Sequence, residues 1–332
     1  MKRIAVLIVH GVEIDDPEFA ATPIRLLKKE FTRHLGRDAP DPEEALVFQK
    51  AHLAPVLEDQ QRAFFEKACP GGSEGFFTHL SRLVRKITSG SAVATLPLVA
   101  AMLRRTDPVL PSVHYPTARW VMAHFLGDAI AYQITPSSRE IYDEVHRAYA
   151  DALRALARRA GGEAPLCVVA HSFGTIVSSD FFYDRETEGQ TKKPLAPFVK
   201  RAETPLERGE TLTWLYTMGS PMALWSLRYP AATLGAPIAV PAPAMEAQEL
   251  HGEWVNVIDD DDLFAWPLRQ LGPEYASALT DRRVSVKAPP VRWTPLVHPF
   301  YWADRDVMAP IAQRLADAWR ALQNAPAERA AG

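Results

Sequence analysis

The sequence predicts an α/β fold, a mostly parallel, doubly wound sheet with helices covering it. Three observations carry that expectation. Apolar runs of strand length, such as Ile4–Val9 (IAVLIV) and residues 166–170 (LCVVA), contain no alternating polar residues, the mark of strands covered on both faces. Segments of helical period separate such runs, and this alternation builds parallel sheets. One run ends on a turn of mostly small residues, Ala170-His171-Ser172-Phe173-Gly174, and passes straight into an apolar helical stretch. With 332 residues, 47% of them hydrophobic, the chain can bury one substantial core. Residues 1–332 are therefore read as a single domain.

After the first strand, a helix is expected over residues 23–31, where Ile24, Leu27, Lys28 and Phe31 recur at helical spacing. Residues 38–126 are irregular and rich in Pro, Gly and aromatics. Apolar helical pieces at 53–68, 76–87 and 92–103 follow one another there without strands between them. This stretch is read as a largely helical insertion, a cap or lid packed over one edge of the sheet. Regularity returns at Ser137, which forms a capping box with Glu140 after Pro136. Ile141, Val145, Tyr149, Leu153 and Leu156 then make one apolar stripe, and Gly161-Gly162 ends the helix. The strand at 166–170 and its helix follow, then a polar loop at 184–209 and a strand at 212–217. A Pro/Ala-rich excursion fills 229–247. Strands are expected at 254–258 and 283–286, a closing helix at 307–322, and a frayed Ala/Glu tail after Asn324. No internal repeat is visible.

Composition narrows the function. A net charge of −3 with no long Lys/Arg block argues against a nucleic-acid partner. Cys69 and Cys167 lie far apart in sequence, so no disulfide framework is expected and a reducing, cytoplasmic setting fits. The Met-Lys-Arg start imitates a secretory leader. However, the apolar run behind it is short, and His-Gly stands where a cleavage site belongs, so a first strand explains it better. The most apolar stretch, residues 91–103, is broken by a proline and shorter than the roughly 20 residues that span a bilayer.

The turn at Ser172 has the strand–turn–helix context of a nucleophile elbow. Such a turn is too tight for side chains on its flanks, so small residues are needed two positions before and two after the serine. Ala170 and Gly174 hold those places; an ordinary serine in a strand-to-helix turn is the plainer alternative. A serine hydroxyl attacks poorly without a base, an acid that orients the base, and oxyanion donors. On a sheet of this kind the acid and then the base follow the serine, each after a later strand. Only His251 and His298 come later; His251 precedes the strand at 254–258, at the wrong end, whereas His298 follows the last strand and is the candidate base. The acid falls in the run Asp259-Asp260-Asp261-Asp262. Asp262 precedes Leu263-Phe264-Ala265, which can anchor its loop, and is favoured; Asp260 is the alternative, and a surface turn or a calcium loop are the competing accounts of the run. The oxyanion donors are expected to be the N–H groups of Phe173 and, from the loop after the first strand, Val12, with Gly11 as the alternative. His10 is expected to orient that loop, and Gly219-Ser220-Pro221 to line the pocket.

On these pieces the chain resembles the α/β-hydrolase superfamily, and more narrowly its lipase- and serine-esterase-like branch. The matching segments are IVHGV (8–12), GDAIAY (127–132), AHSFG (170–174), YTMGSP (216–221), WVNVIDDDDLFA (254–265) and HPFYW (298–302). Each alone is weak; in this order they are specific, and they cover most of the chain apart from the insertion. The resemblance implies an α/β-hydrolase fold whose His-Gly loop supplies the oxyanion hole. It gives Ser172, Asp262 and His298 the triad roles, Val12 the loop donor's role, and Asp128 a structural one. The four consecutive aspartates and Pro299 depart from the pattern, and they bear on the acid more than on the serine. The implied chemistry is hydrolysis of carboxylic esters through an acyl-enzyme, with no metal and no organic cofactor.

The substrate class stays open between small-molecule and lipid esters, because function lives in the pocket grafted on the fold. Phe76, Phe77, Leu80, Leu83, Leu96, Leu98, Val99 and Leu103 suit a lid over an acyl pocket and equally suit plain packing on the sheet. Arg82, Arg85, Lys86, Arg104 and Arg105 fit peripheral contact of the cap with anionic membranes, or a solvated face. Lipase, esterase, phospholipase and thioesterase are not separated by sequence. Readings from other classes are a non-catalytic binding module on the same fold and an acyltransferase using the same triad.

Overall fold

The computed structural model describes residues 2–11, 19–36, 39–68, 80, 82, 86–87, 91, 93, 95–108, 113–135, 138–188, 196–229, 235–246, 248 and 250–324. Six parallel strands form one sheet: β1 (Ile4–Val9), β2 (Leu46–Ala51), β3 (Leu166–His171), β4 (Leu212–Met218), β5 (Glu253–Asp259) and β6 (Thr280–Val284). Their order across the sheet is β2-β1-β3-β4-β5-β6. The chain steps one way from β1 to β2, then returns to the other side for β3. This reversal opens a crevice beyond the carboxyl ends of β1 and β3, the place where open parallel sheets bind ligands.

Every residue of β1, β3 and β4 is buried, which requires cover on both faces. The longer helices are α1 (Ala21–Leu35), α2 (Ala54–Ala68), α3 (Thr95–Leu103), α4 (Pro116–Ala131), α5 (Glu140–Ala160), α6 (Phe173–Glu186) and α7 (Arg305–Asn324). Helix α5 packs on β1 and β2, and α6 on β3 and β1. Helices α1 and α7 pack on each other and add Leu27, Phe31, Ile311 and Leu315 to the same core. Each such buried Leu, Ile or Phe contributes about 1.5–3 kcal/mol relative to exposure.

The two edge strands differ from expectation. Strand β2 lies inside the stretch read as strandless insertion, so the helical excursion begins only after Ala51. Its sequence, LVFQKA, lacks a continuous apolar run because an edge strand exposes part of its surface; Gln49 and Lys50 are half-buried. Strand β6 begins at Thr280 rather than 283, since its residues Asp281, Arg282 and Arg283 conceal strand character at the opposite edge.

Beyond β2 come α2, α3 and α4, with α4 running past residue 126 to Ala131. Phe65, Leu80 and Trp120 form a small core of their own there, separate from the main one, with Leu98, Val113 and Val121 packed against it. Most of the expected helix at 76–87, including Phe76, Phe77, Leu83 and Arg85, lies outside the described residues, as do Cys69, Pro136 and Ser137. Ser138 Oγ, next to Ser137, accepts from Glu140 N at 3.4 Å, and Gly161 ends α5 at φ 106°. Among the described residues no helix is long and apolar enough to cross a membrane, and Cys167 is a buried free thiol.

Candidate active site

Strand β3 reaches the carboxyl edge and stops at Ser172, whose backbone sits at φ 53° and ψ −132°. A positive φ on a non-glycine residue costs about 1–3 kcal/mol and persists only where its surroundings enforce it. Here Ser172 N donates to Met218 O at 3.0 Å, and Ser172 O accepts from Thr175 N at 3.0 Å and from Thr175 Oγ1 at 2.7 Å. Close packing below the turn explains its small flanking residues. A methyl group at Gly174 would stand 2.7 Å from His10 O, and one at Gly11 2.5 Å from Phe173 N and 2.8 Å from Ser172 Cβ. The His10-Gly11 loop therefore lies directly against the elbow, and any side chain at Gly11 would fill the space beside Phe173 N–H. That N–H opens α6, where the first-turn donors have no intrahelical acceptor.

The fold brings Ser172, His298 and Asp262 into one hydrogen-bonded line. His298 Nδ1 lies 2.8 Å from Asp262 Oδ2, and His298 Nε2 lies 2.9 Å from Ser172 Oγ. An ionised carboxylate only accepts, so the imidazole proton belongs on Nδ1 and the lone pair of Nε2 faces the serine hydroxyl. All three residues are buried, at 5%, 6% and 3% exposure respectively. Phe264, two residues past Asp262, packs its ring 4.8 Å from the His298 ring.

The four aspartates separate by environment. Asp259 ends β5, accepting from Val286 N at 2.7 Å and Asp261 N at 2.9 Å. Asp260 is exposed and ion-paired with Arg283, away from the histidine. Asp261 is half-buried. Asp259 and Asp262 are both buried, and it is Asp262 that meets the histidine, its Oδ1 accepting from Phe264 N at 2.9 Å and its Oδ2 from His298 and from Tyr301 Oη at 3.0 Å. His251 is exposed ahead of β5, at the amino edge.

The loop after β1 is described as far as Gly11. Gly11 N donates to His10 Nδ1 at 2.8 Å, so its donor is committed and Gly11 serves by its lack of a side chain. Val12 lies outside the described residues. His10 orients the loop through this bond and packs at 5.1 Å from the His171 ring.

Several supporting residues carried no assignment from sequence. His171 Nε2 donates to His298 O at 2.8 Å, holding the backbone of the candidate base. Burial, reinforced by the neighbouring His298 and His10, pushes His171 well below the usual histidine range, so it stays neutral. Asn256 Nδ2 donates to Trp266 O at 3.0 Å and Asp281 Oδ1 at 2.8 Å, and Asp281 accepts from Leu268 N at 3.0 Å. These bonds tie the loop that carries Asp262 to the strands beneath it. The WVN and HPFYW segments contained the signal, but not the partners. Ser220, by contrast, is fully buried and bonded to Thr175 Oγ1 at 2.8 Å, supporting the elbow rather than lining a pocket.

Two further features frame the site. Tyr132, at the end of α4, and Trp225, after β4, set their rings 5.2 and 5.9 Å from Phe173. Among the described residues, large apolar side chains stand exposed in the helices after β2 and in the connections that follow β4, β5 and β6. They include Met122, Leu126 and Ile130 along α4, Leu227 after β4, Leu263 after β5 and Trp293 after β6. No cluster of three His, Cys, Asp or Glu side chains suited to a metal ion occurs among the described residues. Comparison with protein-family models, curated proteins and solved structures finds none that matches this chain.

Proposed function

We propose that the protein is a serine hydrolase cleaving carboxylic esters with apolar, lipid-like acyl groups, built on an α/β-hydrolase fold with α2–α4 as its cap. The observation that carries this reading is the unbroken line Ser172 Oγ–His298–Asp262, with contacts of 2.9 and 2.8 Å, on a strained turn at the switch point of the sheet. A serine in an ordinary turn has no need of a buried imidazole on its hydroxyl and a buried carboxylate behind it.

In this reading Ser172 Oγ attacks the ester carbonyl carbon while His298 Nε2 takes the hydroxyl proton. Asp262 holds the ring and stabilises the imidazolium that forms. Phe173 N–H, and Val12 N–H from the facing loop, donate to the developing oxyanion; one such donor is worth about 10²–10³ in kcat. The tetrahedral intermediate collapses, and the leaving alcohol takes the proton from His298. Water then attacks the acyl carbon with His298 as base, releasing the carboxylic acid and free Ser172. The exposed apolar side chains after β2, β4 and β5 support acyl chains presented by a lipid surface as the substrate.

Intact-protein mass after fluorophosphonate treatment tests the reading. One adduct on the wild type and none on Ser172→Ala is the expected outcome, followed by turnover in an ester chain-length series. A folded wild type that takes no adduct and hydrolyses no ester would overturn it in favour of a non-catalytic binding module.

A further inference from the structure

We propose that Tyr301 is a positioning residue of the triad, its phenol holding the Asp262 carboxylate in line with the His298 ring. The inference rests on the hydrolase reading above and adds a residue to its machinery. His298 and Tyr301 both belong to the 3₁₀ segment Pro295–Ala303. In a 3₁₀ helix residues three apart eclipse one another, so both side chains leave the same edge. They converge on one oxygen: Asp262 Oδ2 lies 2.8 Å from His298 Nδ1 and 3.0 Å from Tyr301 Oη.

The direction of the phenol proton follows from its other partner. Asp259 N–H reaches Tyr301 Oη at 2.9 Å, and a backbone N–H can only donate. The phenol therefore accepts there and turns its own proton toward Asp262. Tyr301 is fully buried, and burial, with the charge of Asp262 behind it, raises the phenol well above the ordinary tyrosine range. It remains a donor throughout the pH range of ester hydrolysis.

The hydroxyl is needed because the terminal torsion of an aspartate is broad and takes its angle from its partners. Among the described residues, the other side-chain and backbone partners of the carboxylate are Phe264 N on Oδ1 and the His298 imidazole on Oδ2. The phenol adds a fixed donor anchored to the end of β5. One oxygen thus joins the strand, the acid and the segment bearing the base.

Tyr301→Phe keeps the ring and removes that oxygen. The expected result is a fall in kcat of about 10- to 100-fold, the scale of a hydrogen bond to a charged group, with KM unchanged. The variant also leaves Asp259 N–H unpaired, so lost stability must be separated from lost positioning. A double-mutant cycle does this: in an Asp262→Asn background, Tyr301→Phe is expected to cost little more, because it acts through the carboxylate. Equal loss in both backgrounds would overturn the proposal in favour of a purely structural tyrosine. The low-field proton resonance of His298 Nδ1–H, assigned by its loss in His298→Ala, gives a readout independent of turnover, and Tyr301→Phe should move it. A wild type without fluorophosphonate adduct or turnover would defeat the hydrolase reading alone; an unmoved resonance would defeat the positioning role.

Discussion

Asp260 and Asp262 stand two positions apart in a run of identical residues, yet the fold gives them opposite surroundings. One reaches into solvent toward Arg283, and the other is buried on His298. Asp262→Asn is expected to lower kcat by about 10⁴, the loss seen when a triad carboxylate becomes an amide. Asp260→Asn should leave kcat unchanged; steady-state kinetics on one ester compares them, and the reverse ranking would sink the assignment. Ser172 and His298 could be singled out from sequence because the elbow is a local pattern and only two histidines follow it. For the acid, four adjacent aspartates send nearly the same local signal, and only the apolar Leu263-Phe264-Ala265 after it favoured Asp262 over Asp260. What separates them is long-range: Val286 N fixes Asp259, and Tyr301 and His298 capture Asp262.

The central strands were legible because burial of both faces makes them continuous apolar runs, and the long helices α5 and α7 because burial of one side sets their period. Edge strand β2 was missed and β6 was placed three residues late, because partly exposed edges carry polar residues such as Gln49, Lys50 and Arg282. Asp128 shows what an element's sequence conceals. It sits in α4, buried, accepting a hydrogen bond from Gln61 of α2, while its Oδ2 has no partner among the described residues. Burial raises its pKa from 3.8 to about 7, against the smaller opposing effect of Gln61. Between those values the folded state keeps a proton that the unfolded chain has lost. Stability therefore falls as pH rises through that window and levels off above it. Asp128→Asn is expected to flatten this part of the curve, so that its thermal midpoint gains on the wild type from about pH 5 to about pH 8. Parallel curves for the two proteins across that range would show that Asp128 ionises normally.

At the scale of the whole molecule, the candidate triad sits at the carboxyl edge of the sheet, and the helices after β2 and the connection after β4 carry strongly exposed apolar side chains such as Ile130 and Leu227. If those side chains present lipid-borne esters to Ser172, replacing Ile130 and Leu227 with serine should spare hydrolysis of a short soluble ester. The same pair should reduce hydrolysis of an ester held in vesicles, together with co-sedimentation on them. Both side chains are strongly exposed, at 72% and 81%, so the substitutions disturb no core. Equal effects on the two substrates would count against a surface-presented substrate.

The sequence by itself determined the alternation of strands and helices, the elbow at Ser172 and the chain order of the candidate residues. Those properties depend on neighbours within a few positions, where burial period and steric tightness act directly. Only the tertiary structure decided which aspartate meets the histidine. It also decided that Gly11 gives its N–H to His10, that Tyr301 bonds Asp262, and that His171 bonds the backbone of His298. Each of those outcomes is a hydrogen bond, effective only within about 3 Å, between groups that the sheet's topology carries together from distant parts of the chain.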